Sequence, residues 1–518
     1  MRKLYLILIL WLSVSCSNFL DVEPMGKLIP EEVEDYENLL NNLNTINYFL
    51  LYNNTCYLAT LGDNLEISEN QARYQYNDIG YSAINTYTSY TFQQPYYDLN
   101  ASDFYWDNAY ETIGIYNSLI NGVNDVATES NSAVANSLIA QAKAARAWTY
   151  LNLGLVYGPM YNPNGTNDTQ TIPYRTESQP LVANPDRATT AELFQYVKQD
   201  IDDALTGIPE TVGNPCRFGL PALHMLMSYY YMYMRDWNNM LTYANMAWDE
   251  VLAQRGSVEA MLYNFNNFSY DLDESVVIGD DEVNPKVDLA LQGEDNLIGQ
   301  TTHRENIMYR KAAINGTIDY PSEEFLNLFD QEKDLRYDLF ALRDNGFSSE
   351  INGETYSDGL RIYYFRDEKM LSNEGYTTSE LLLLRAEAYA RTGALPEALN
   401  ALNLLRQFRY KGTTTAETDL PNGASLTQDE LLEEILNERR RELPIGTYQH
   451  FLDIKRYALD TGKPWCKTSI THQIGNQTYT ADVDGEAFIL PISNIVIQLN
   501  PQWGIPVDGN IFNPSLYQ

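Results

Sequence analysis

Basic residues are scarce in this sequence. Its 518 residues include 34 Lys and Arg against 70 Asp and Glu, which gives a net charge of −36. Proteins bind nucleic acids and anionic lipid surfaces largely through Lys and Arg. We therefore expect neither as a partner. With 44% hydrophobic and 20% charged residues, the composition is that of a folded globular protein and not of a disordered acidic chain.

The sequence also lacks an apolar run long enough to cross a bilayer. Its clearest apolar run, residues 4–12, follows Arg2 and Lys3 and precedes small residues and Cys16. That order is typical of a signal peptide over residues 1–15, and a span would need about 20 residues. Cys16 resembles the lipid-modified cysteine of a bacterial lipoprotein box. The alternative is an ordinary cleaved signal with an incidental cysteine. We expect a body of residues 16–518 held to a membrane by acyl chains such as palmitate.

Cysteine and histidine are too few and too scattered for the common metal and redox sites. With Cys16 acylated, the remaining Cys56, Cys216 and Cys466 are odd in number and have no C-x-x-C spacing. A disulfide framework or zinc site is therefore not expected. Acidic clusters at 280–282 and 482–486 lack calcium-loop spacing, although surface carboxylates can bind Ca²⁺ incidentally. We expect no cofactor and no dedicated metal site.

Motifs of the common hydrolases and nucleotide-binding enzymes are absent. There is no G-x-x-x-x-G-K-[ST] loop, no G-x-S-x-G elbow and no H-E-x-x-H pair. We therefore predict that the protein is not an enzyme. Because a glycosidase pair is defined by the spatial separation of two carboxylates, a surface glycoside hydrolase stays open as an alternative.

What the sequence does contain is helical periodicity. Apolar residues recur at helical spacing in residues 138–155, and residues 189–206 read as a further helix. Residues 381–407 fit the tetratricopeptide spacing, and residues 220–251 repeat it more loosely. The alternative for each is a generic antiparallel helix pair. Helices near 103–121 and 137–157 would supply the further neighbours that such hairpins need. We predict a mainly α protein with a tetratricopeptide-like helical hairpin scaffold.

Tyrosine is the abundant residue, with 40 copies against 17 Phe. Many Tyr lie in stretches without helical periodicity, at 53–102, 263–320 and 345–378, among Asn, Asp and Gly. So many aromatics argue against disorder. The expected organisation is a helical part over about 16–260 with inserted loops at 53–102, an irregular, loop-rich middle over about 261–378, and a C-terminal helical and loop region over 379–518.

Five sequence blocks together resemble the SusD/RagB family of nutrient-binding outer-membrane lipoproteins. CSNFLDVEP at 16–24 is similar to the mature start of these proteins. The others, in the family's order, are AKAARAWTYLNLGLVYG (142–158), LLLLRAEAYARTGALPEALNALNLLR (381–406), LLEEILNERRRELPIGTYQHFLDIKR (431–456) and FILPISNIVIQLNPQWGIP (488–506). The resemblance extends over almost the whole mature chain.

The resemblance implies a cell-surface lipoprotein that captures glycan and delivers it to a SusC-like TonB-dependent transporter in the outer membrane. The expected partners are thus the transporter, an extracellular glycan and the outer membrane, with the protein facing the exterior. A receptor for peptides or another non-glycan nutrient is the alternative within the same kind of complex.

Tyrosine suits glycan binding, because its ring stacks on sugar C–H faces and its hydroxyl hydrogen-bonds. The family's ligand site lies on loops at positions comparable to 63–98 and 263–320. For any single Tyr the alternative is core packing, to which we assign Trp106 and Tyr110 of the helix near 103–121. The predicted carbohydrate-binding residues are Asp63, Asn64, Arg73, Tyr74, Tyr76, Tyr81, Tyr96, Tyr97, Tyr270, Tyr309, Arg310 and Tyr320, with His303 as a further candidate.

The charged block around residues 434–442 is predicted to be structural. Glu434, Glu438 and Glu442 lie at helical spacing with Arg439, Arg440 and Arg441, enough for a ladder of i,i+4 ion pairs on a helix face. An anion site is the alternative.

Overall fold

The structure is a computed structural model. It describes residues 30–42, 49–50, 55–81, 83–179, 181–272, 286–291, 301–313, 319–364 and 373–518. For residues 269–272 and 286–291 only the backbone is described. The predicted signal peptide, Cys16 and the acidic cluster at 280–282 lie outside the described residues.

Most of the regular structure is helical. In chain order the α-helices are α1 (Val33–Leu40), α2 (Ile84–Tyr90), α3 (Phe104–Val126), α4 (Ser132–Val156), α5 (Thr190–Leu205), α6 (Leu220–Met234), α7 (Trp237–Arg255), α8 (Glu323–Leu326), α9 (Leu335–Phe340), α10 (Thr378–Arg391), α11 (Leu395–Arg409), α12 (Thr415–Thr418), α13 (Gln428–Glu442), α14 (Gln449–Tyr457) and α15 (Asn494–Leu499). The predicted mainly α fold is confirmed.

Local sequence explains where the long helices begin. Thr189 caps α5 by accepting from the Glu192 N–H, while the Glu192 carboxylate accepts from the Thr189 N–H, which is a reciprocal capping box. Asp103 caps α3 through its carboxylate. The helices predicted at 138–155 and 189–206 are confirmed as α4 and α5.

The long helices pack as hairpins. Helices α3 and α4, α6 and α7, and α10 and α11 are each joined by a short loop and pack against one another. Helix α7 also packs against α10, so two hairpins far apart in sequence are neighbours in space. Small buried residues allow the close approach, among them Ala244, Ala247, Ala386 and Ala398. The helix pairs predicted at 220–251 and 381–407 are confirmed.

Short antiparallel strand pairs decorate this scaffold. The strands are β1 (Leu65–Glu66), β2 (Gln170–Pro173), β3 (Arg187–Thr189), β4 (Phe268–Leu272), β5 (Lys286–Leu291), β6 (Asn306–Met308), β7 (Tyr320–Pro321), β8 (Ala341–Asn345), β9 (Ser348–Ile351), β10 (Glu354–Ser357), β11 (Leu360–Tyr364), β12 (Tyr376–Thr377), β13 (Ser469–Ile474) and β14 (Gln477–Asp482). The pairs are β1–β7, β2–β3, β4–β5, β6–β12, β8–β11, β9–β10 and β13–β14.

The irregular structure predicted for residues 345–378 is wrong for their first half. Strand β8 pairs with β11, and β9 pairs with β10 across the Asn352–Gly353 turn. Both turn residues have positive φ, as a two-residue hairpin turn requires. The Asn-Gly dipeptide between short β-prone segments was the available signal.

The charged block of α13 is buried. Glu438 pairs with Arg336, with Arg406 (3.5 Å) and with Arg441 (2.7 Å), and Glu442 pairs with Arg336 (2.9 Å) and Arg409 (2.8 Å). We call these six residues the Glu438 network. The predicted structural role is confirmed, but the i,i+4 ladder is wrong, because most partners come from outside α13.

No described helix is both long and apolar enough to cross a membrane.

Candidate functional site

The segment 63–102 folds into a small aromatic unit on the helical scaffold. Ile67, Tyr76, Tyr87 and Tyr90 form an apolar cluster with Ile474 of β13, and the chain's C-terminal tail packs against this cluster. The tail contributes Phe512, Leu516 and Tyr517. Burying one set of rings inside this unit leaves other rings of the same segment on its surface.

An open cleft of about 330 Å³ lies between α2, the start of α3 and the C-terminal tail. Its apolar lining includes Tyr57, Ile79, Tyr81, Tyr97, Phe104 and Phe512. Tyr81 is 69% exposed and Phe104 is 43% exposed, so both rings are accessible from solvent. Asn85, Asp98 and Ser102 line the same space with polar groups. We call this site the aromatic cleft.

A buried carboxylate holds the floor of the aromatic cleft. Asp103 accepts hydrogen bonds from the hydroxyls of Tyr97 (2.8 Å) and Tyr157 (2.5 Å) and from main-chain N–H groups of α3. Burial raises the pKa of Asp103 to about 6, although these hydrogen bonds act in the opposite direction. Asp103 therefore fixes both the start of α3 and the position of the Tyr97 ring.

Tyr57 lines one wall of the aromatic cleft. Its ring stacks on Tyr105 with 4.7 Å between centroids, and its hydroxyl is buried without a hydrogen-bond partner among the described residues. Such a group costs about 1–3 kcal/mol unless a partner arrives.

Two of the predicted residues, Tyr81 and Tyr97, line the aromatic cleft, but Tyr76 and Tyr96 do not. The Tyr96 ring is fully buried, and its hydroxyl donates to Ala487 O at 2.6 Å. The Tyr76 hydroxyl donates to Asp319 Oδ1 at 2.5 Å in the interior. Both side chains brace the aromatic unit from within.

Asp63 and Asn64 belong to an ionic cluster beneath the aromatic unit. Asp63 pairs with Arg440 (2.8 Å), with His450 (2.6 Å) and with Lys467. Burial would raise the pKa of Asp63, but these cationic and hydrogen-bonding neighbours hold it well below its ordinary range. Asn64 accepts from Arg440. These contacts tie the segment to α13, to α14 and to the loop that precedes β13.

Arg73 and Tyr74 are partly exposed outside the aromatic cleft. Tyr74 lies 4.4 Å from Tyr356 of β10 between ring centroids. Arg73 pairs with Glu69 at 2.8 Å and lies over the Tyr517 ring. They form a separate surface group near the β9–β10 hairpin.

The predicted residues of the second segment are buried where their side chains are described. Arg310 donates to the carbonyls of Cys216 and Tyr309, each at 2.8 Å, and Tyr309 is 1% exposed. The Tyr320 hydroxyl donates to Asp358 at 2.7 Å. Tyr270 lies in β4, and its side chain is outside the described part. Tyr309, Arg310 and Tyr320 do not line the aromatic cleft.

Tyr57, Phe104 and Phe512 are cleft residues that sequence reasoning missed. Phe104 directly follows the Asp103 cap, so it occupies a first helical turn and faces outward, whereas Trp106 two residues later is buried. The packing predicted for Trp106 and Tyr110 is confirmed by their ring stacking at 4.7 Å. An apolar residue beside a helix cap was the available signal for Phe104. Phe512 had none.

No group of three or more metal-ligating side chains converges within the described residues. The incidental calcium binding considered for the surface carboxylates stays a prediction without an assigned site.

Two family models match the sequence. The model described as the SusD family matches residues 368–503, and the model described as starch-binding, associating with the outer membrane, matches residues 18–222. No curated protein matches the chain.

Several crystal structures share the fold. A SusD superfamily protein from Bacteroides thetaiotaomicron has a TM-score of 0.63 at 19% identity, with 91% of this chain and 98% of that chain covered. A SusD superfamily protein from Bacteroides vulgatus has a TM-score of 0.62 at 16% identity over 91% and 98%. A SusD-like carbohydrate binding protein from Bacteroides vulgatus has a TM-score of 0.57 at 19% identity over 91% and 97%. Because these two SusD-type family models match residues 18–222 and 368–503, which together make up more than half of the chain, this protein is a member of the SusD family.

Proposed function

We propose that this protein is a cell-surface glycan receptor that binds oligosaccharide or polysaccharide at the aromatic cleft and passes it to a SusC-like TonB-dependent transporter. Its lipid anchor would be Cys16, and it would act without covalent chemistry. The observation that carries the proposal is the open cleft in which Tyr81 and Phe104 remain exposed.

The lining of the aromatic cleft matches the chemistry of sugars. Exposed rings offer flat apolar faces for sugar C–H groups. Asn85, Asp98 and Ser102 offer amide, carboxylate and hydroxyl partners for sugar hydroxyls. A binding site with an apolar wall and a few placed polar groups fits the general pattern of small-molecule sites.

The cleft also lies far from the point where the described chain begins. Helix α3 has 23 residues, which corresponds to roughly 35 Å. The cleft is at its first residue, whereas α1, next to the N-terminal segment, packs against its other end through Tyr36 and Gly122. This separation supports a receptor that keeps its ligand site clear of an N-terminal tether.

The comparisons support the coarser parts of the proposal. One matching family model is described as starch-binding and associating with the outer membrane, and one structural relative is described as a carbohydrate binding protein. The transporter partner, the outward orientation and the lipid anchor follow from the family resemblance. We expect a Cys16→Ala variant to lose membrane retention, and unchanged retention would contradict the anchor.

The lack of catalytic activity is part of the proposal. Of the cleft carboxylates, Asp103 already accepts from two tyrosine hydroxyls and from the N-terminus of α3, so it is committed to holding the fold. We expect no turnover of a labelled oligosaccharide that the protein binds. Hydrolysis of that substrate by the purified protein would overturn the receptor assignment.

Calorimetric titration with soluble starch, other polysaccharides and a peptide mixture tests the ligand class. We expect glycan binding that Tyr81→Ala weakens roughly tenfold, the usual effect of truncating an exposed aromatic anchor. Tyr196→Ala is the matched control, because Tyr196 is 44% exposed on α5, outside the cleft. Equal effects of the two variants would reject the cleft as the binding site. Binding of peptide alone would reject glycan as the ligand.

A further inference from the structure

An open groove of about 520 Å³ lies at a different place in the fold. Its lining comes from the segment 259–267 after α7, from Arg304, from the last residues of α11 and from the segment 412–418. It shares no lining residue with the aromatic cleft. We call it the threonine groove, because four threonines line it, Thr413, Thr414, Thr415 and Thr418.

The lining of the threonine groove joins a buried apolar part to an accessible polar part. Leu262, Tyr263 and Phe408 are buried, whereas Thr413 and Thr415 are exposed. Partly or fully exposed amide side chains add donors and acceptors, and they are Asn264, Asn267 and Gln407. Small-molecule sites commonly combine apolar walls with a few polar groups that orient the ligand. The groove has that composition.

Hydrogen bonds within the protein already hold the threonine groove in shape. The Asn266 side chain donates to Tyr410 O at 3.0 Å and accepts from the Gly412 N–H at 3.1 Å, so it ties two segments of the lining together. The Glu417 carboxylate accepts from the main-chain N–H groups of residues 413–414, each at 3.0 Å. A site whose groups are fixed before the ligand arrives loses less conformational entropy on binding.

The formal charges of the lining balance one another. Arg304 and Glu259 are the charged residues among those that line the groove. The Arg304 guanidinium lies over the Tyr263 ring, 4.2 Å from its centroid, and its Nη1 donates to Glu259 O at 3.3 Å. An acidic ligand would find no excess positive charge here and would meet a chain with a net charge of −36. Hydroxyl and amide partners instead suit a neutral, hydroxyl-rich ligand.

We propose that the threonine groove is a second glycan site, which binds a neutral sugar chain through the side chains of Gln407, Thr413 and Thr415. The ligand class rests on the proposed function, but the location does not, because the groove and the aromatic cleft have no lining residue in common. Hydroxyl and amide groups both donate and accept, as sugar hydroxyls require. Since the Tyr263 and Phe408 rings are buried, binding here depends on hydrogen bonds more than on ring stacking.

Threonine-methyl NMR on the full chain in detergent measures occupancy of the groove directly. The threonine methyl groups carry ¹³C, and the variants Thr413→Ser and Thr415→Ser identify the two signals. The neutral probes are maltohexaose, cellohexaose, xylohexaose and mannohexaose, and the controls are trigalacturonate and acetyl-trialanine amide. We expect both signals to shift saturably with at least one neutral glycan and with neither control. Shifts of equal size with a control, or no shift with any of the four glycans, would overturn the proposal.

A double variant tests the residues that the proposal names. Gln407→Met combined with Thr413→Val should weaken binding at the groove, followed through the Thr415 signal, roughly tenfold, because two neutral hydrogen bonds are lost. Thr242→Val is the matched control, since it removes an exposed hydroxyl from α7 outside both sites, and it should change nothing. Unchanged affinity in the double variant would reject the groove.

Tyr81→Ala makes a failure of this proposal distinguishable from a failure of the proposed function. The Thr415 shift should persist in this variant, and its loss would mean that the groove is not a separate site. Silent threonine signals together with calorimetric binding that depends on Tyr81 would reject the second site and leave the proposed function standing. Threonine shifts without any dependence of binding on Tyr81 would reject the aromatic cleft and leave the groove standing.

Discussion

The aromatic cleft and the Glu438 network depart from ordinary side-chain burial in opposite directions. The cleft leaves large rings exposed, with Tyr81 at 69%, whereas the network buries charge, with Glu438 at 0%. Apolar rings gathered at one open cleft and charges buried in the interior are both informative departures from the usual distribution of side chains. Each therefore needs a physical reason.

The two sites differ in whether their polar groups already have partners within the protein. Glu438 faces Arg336, Arg406 and Arg441, so the protein itself compensates the cost of burial. In the cleft, the Tyr57 hydroxyl has no partner among the described residues, and the rings remain uncovered. We therefore interpret a cluster whose charges are all paired within the protein as structural. An open cleft with exposed rings is where we expect a ligand to bind.

The largest expected effect comes from breaking the complete cluster. Glu438→Gln removes the negative charge that faces three guanidinium groups. We expect the free energy of unfolding to fall by roughly 3–5 kcal/mol, because buried cations lose their counter-charge. Chemical denaturation followed by circular dichroism measures this fall.

Glu434→Gln is the control for this substitution, since Glu434 lies on the same helix and is only half-buried. Its effect should stay within about 0.5 kcal/mol. Glycan affinity of the folded Glu438→Gln protein should match wild type. If the two variants are equally stable, the network is not what holds these helices together.

A second prediction contrasts two buried carboxylates. Arginine side chains hold the pKa of Glu438 well below its ordinary value although burial opposes them, whereas burial raises the pKa of Asp103 from 3.8 to about 6. The folded state therefore binds the Asp103 proton more tightly than the unfolded state. This stabilisation is fully present below pH 3.8 and is lost as the pH rises through about 6.

The loss amounts to at most about 3 kcal/mol. Asp103→Asn keeps a capping side chain but cannot titrate, so its free energy of unfolding should fall less than that of wild type between pH 4 and pH 7. Denaturation midpoints of both proteins across that range give the comparison. Parallel curves would mean that Asp103 has an ordinary pKa.

Local pattern was enough to predict the helical scaffold. Thr189 with Glu192 marks the start of α5, and small residues such as Ala386 and Ala398 mark a close helix pair. Both patterns can be recognised from residues that are near each other in the sequence. The partners of Glu438 could not be predicted in this way. Arg336 and Arg406 are distant in sequence, and only the packed fold brings them to α13.

The cleft was predictable only in part for the same reason. The density of Tyr in segment 63–98 indicated the right region, and Tyr81 and Tyr97 do line the cleft. Neighbouring Tyr96 points into the core instead. Tyr81, Tyr96 and Tyr97 lie outside the helices and strands, so no sequence periodicity says which of these rings face inward. Phe512 comes from the C-terminal tail, whose course depends on the completed fold.

The smallest expected effect separates these two kinds of tyrosine. Tyr96→Phe removes the hydroxyl that donates to Ala487 O at 2.6 Å, so the free energy of unfolding should fall by about 1 kcal/mol while glycan affinity stays unchanged. Tyr81→Phe keeps an exposed ring and loses a solvated hydroxyl, so stability should not change and most affinity should remain. Denaturation and calorimetry on both variants measure the contrast. Because Tyr96 acts through the fold and Tyr81 through its surface, a large affinity loss in Tyr96→Phe without loss of stability would reverse their assignments.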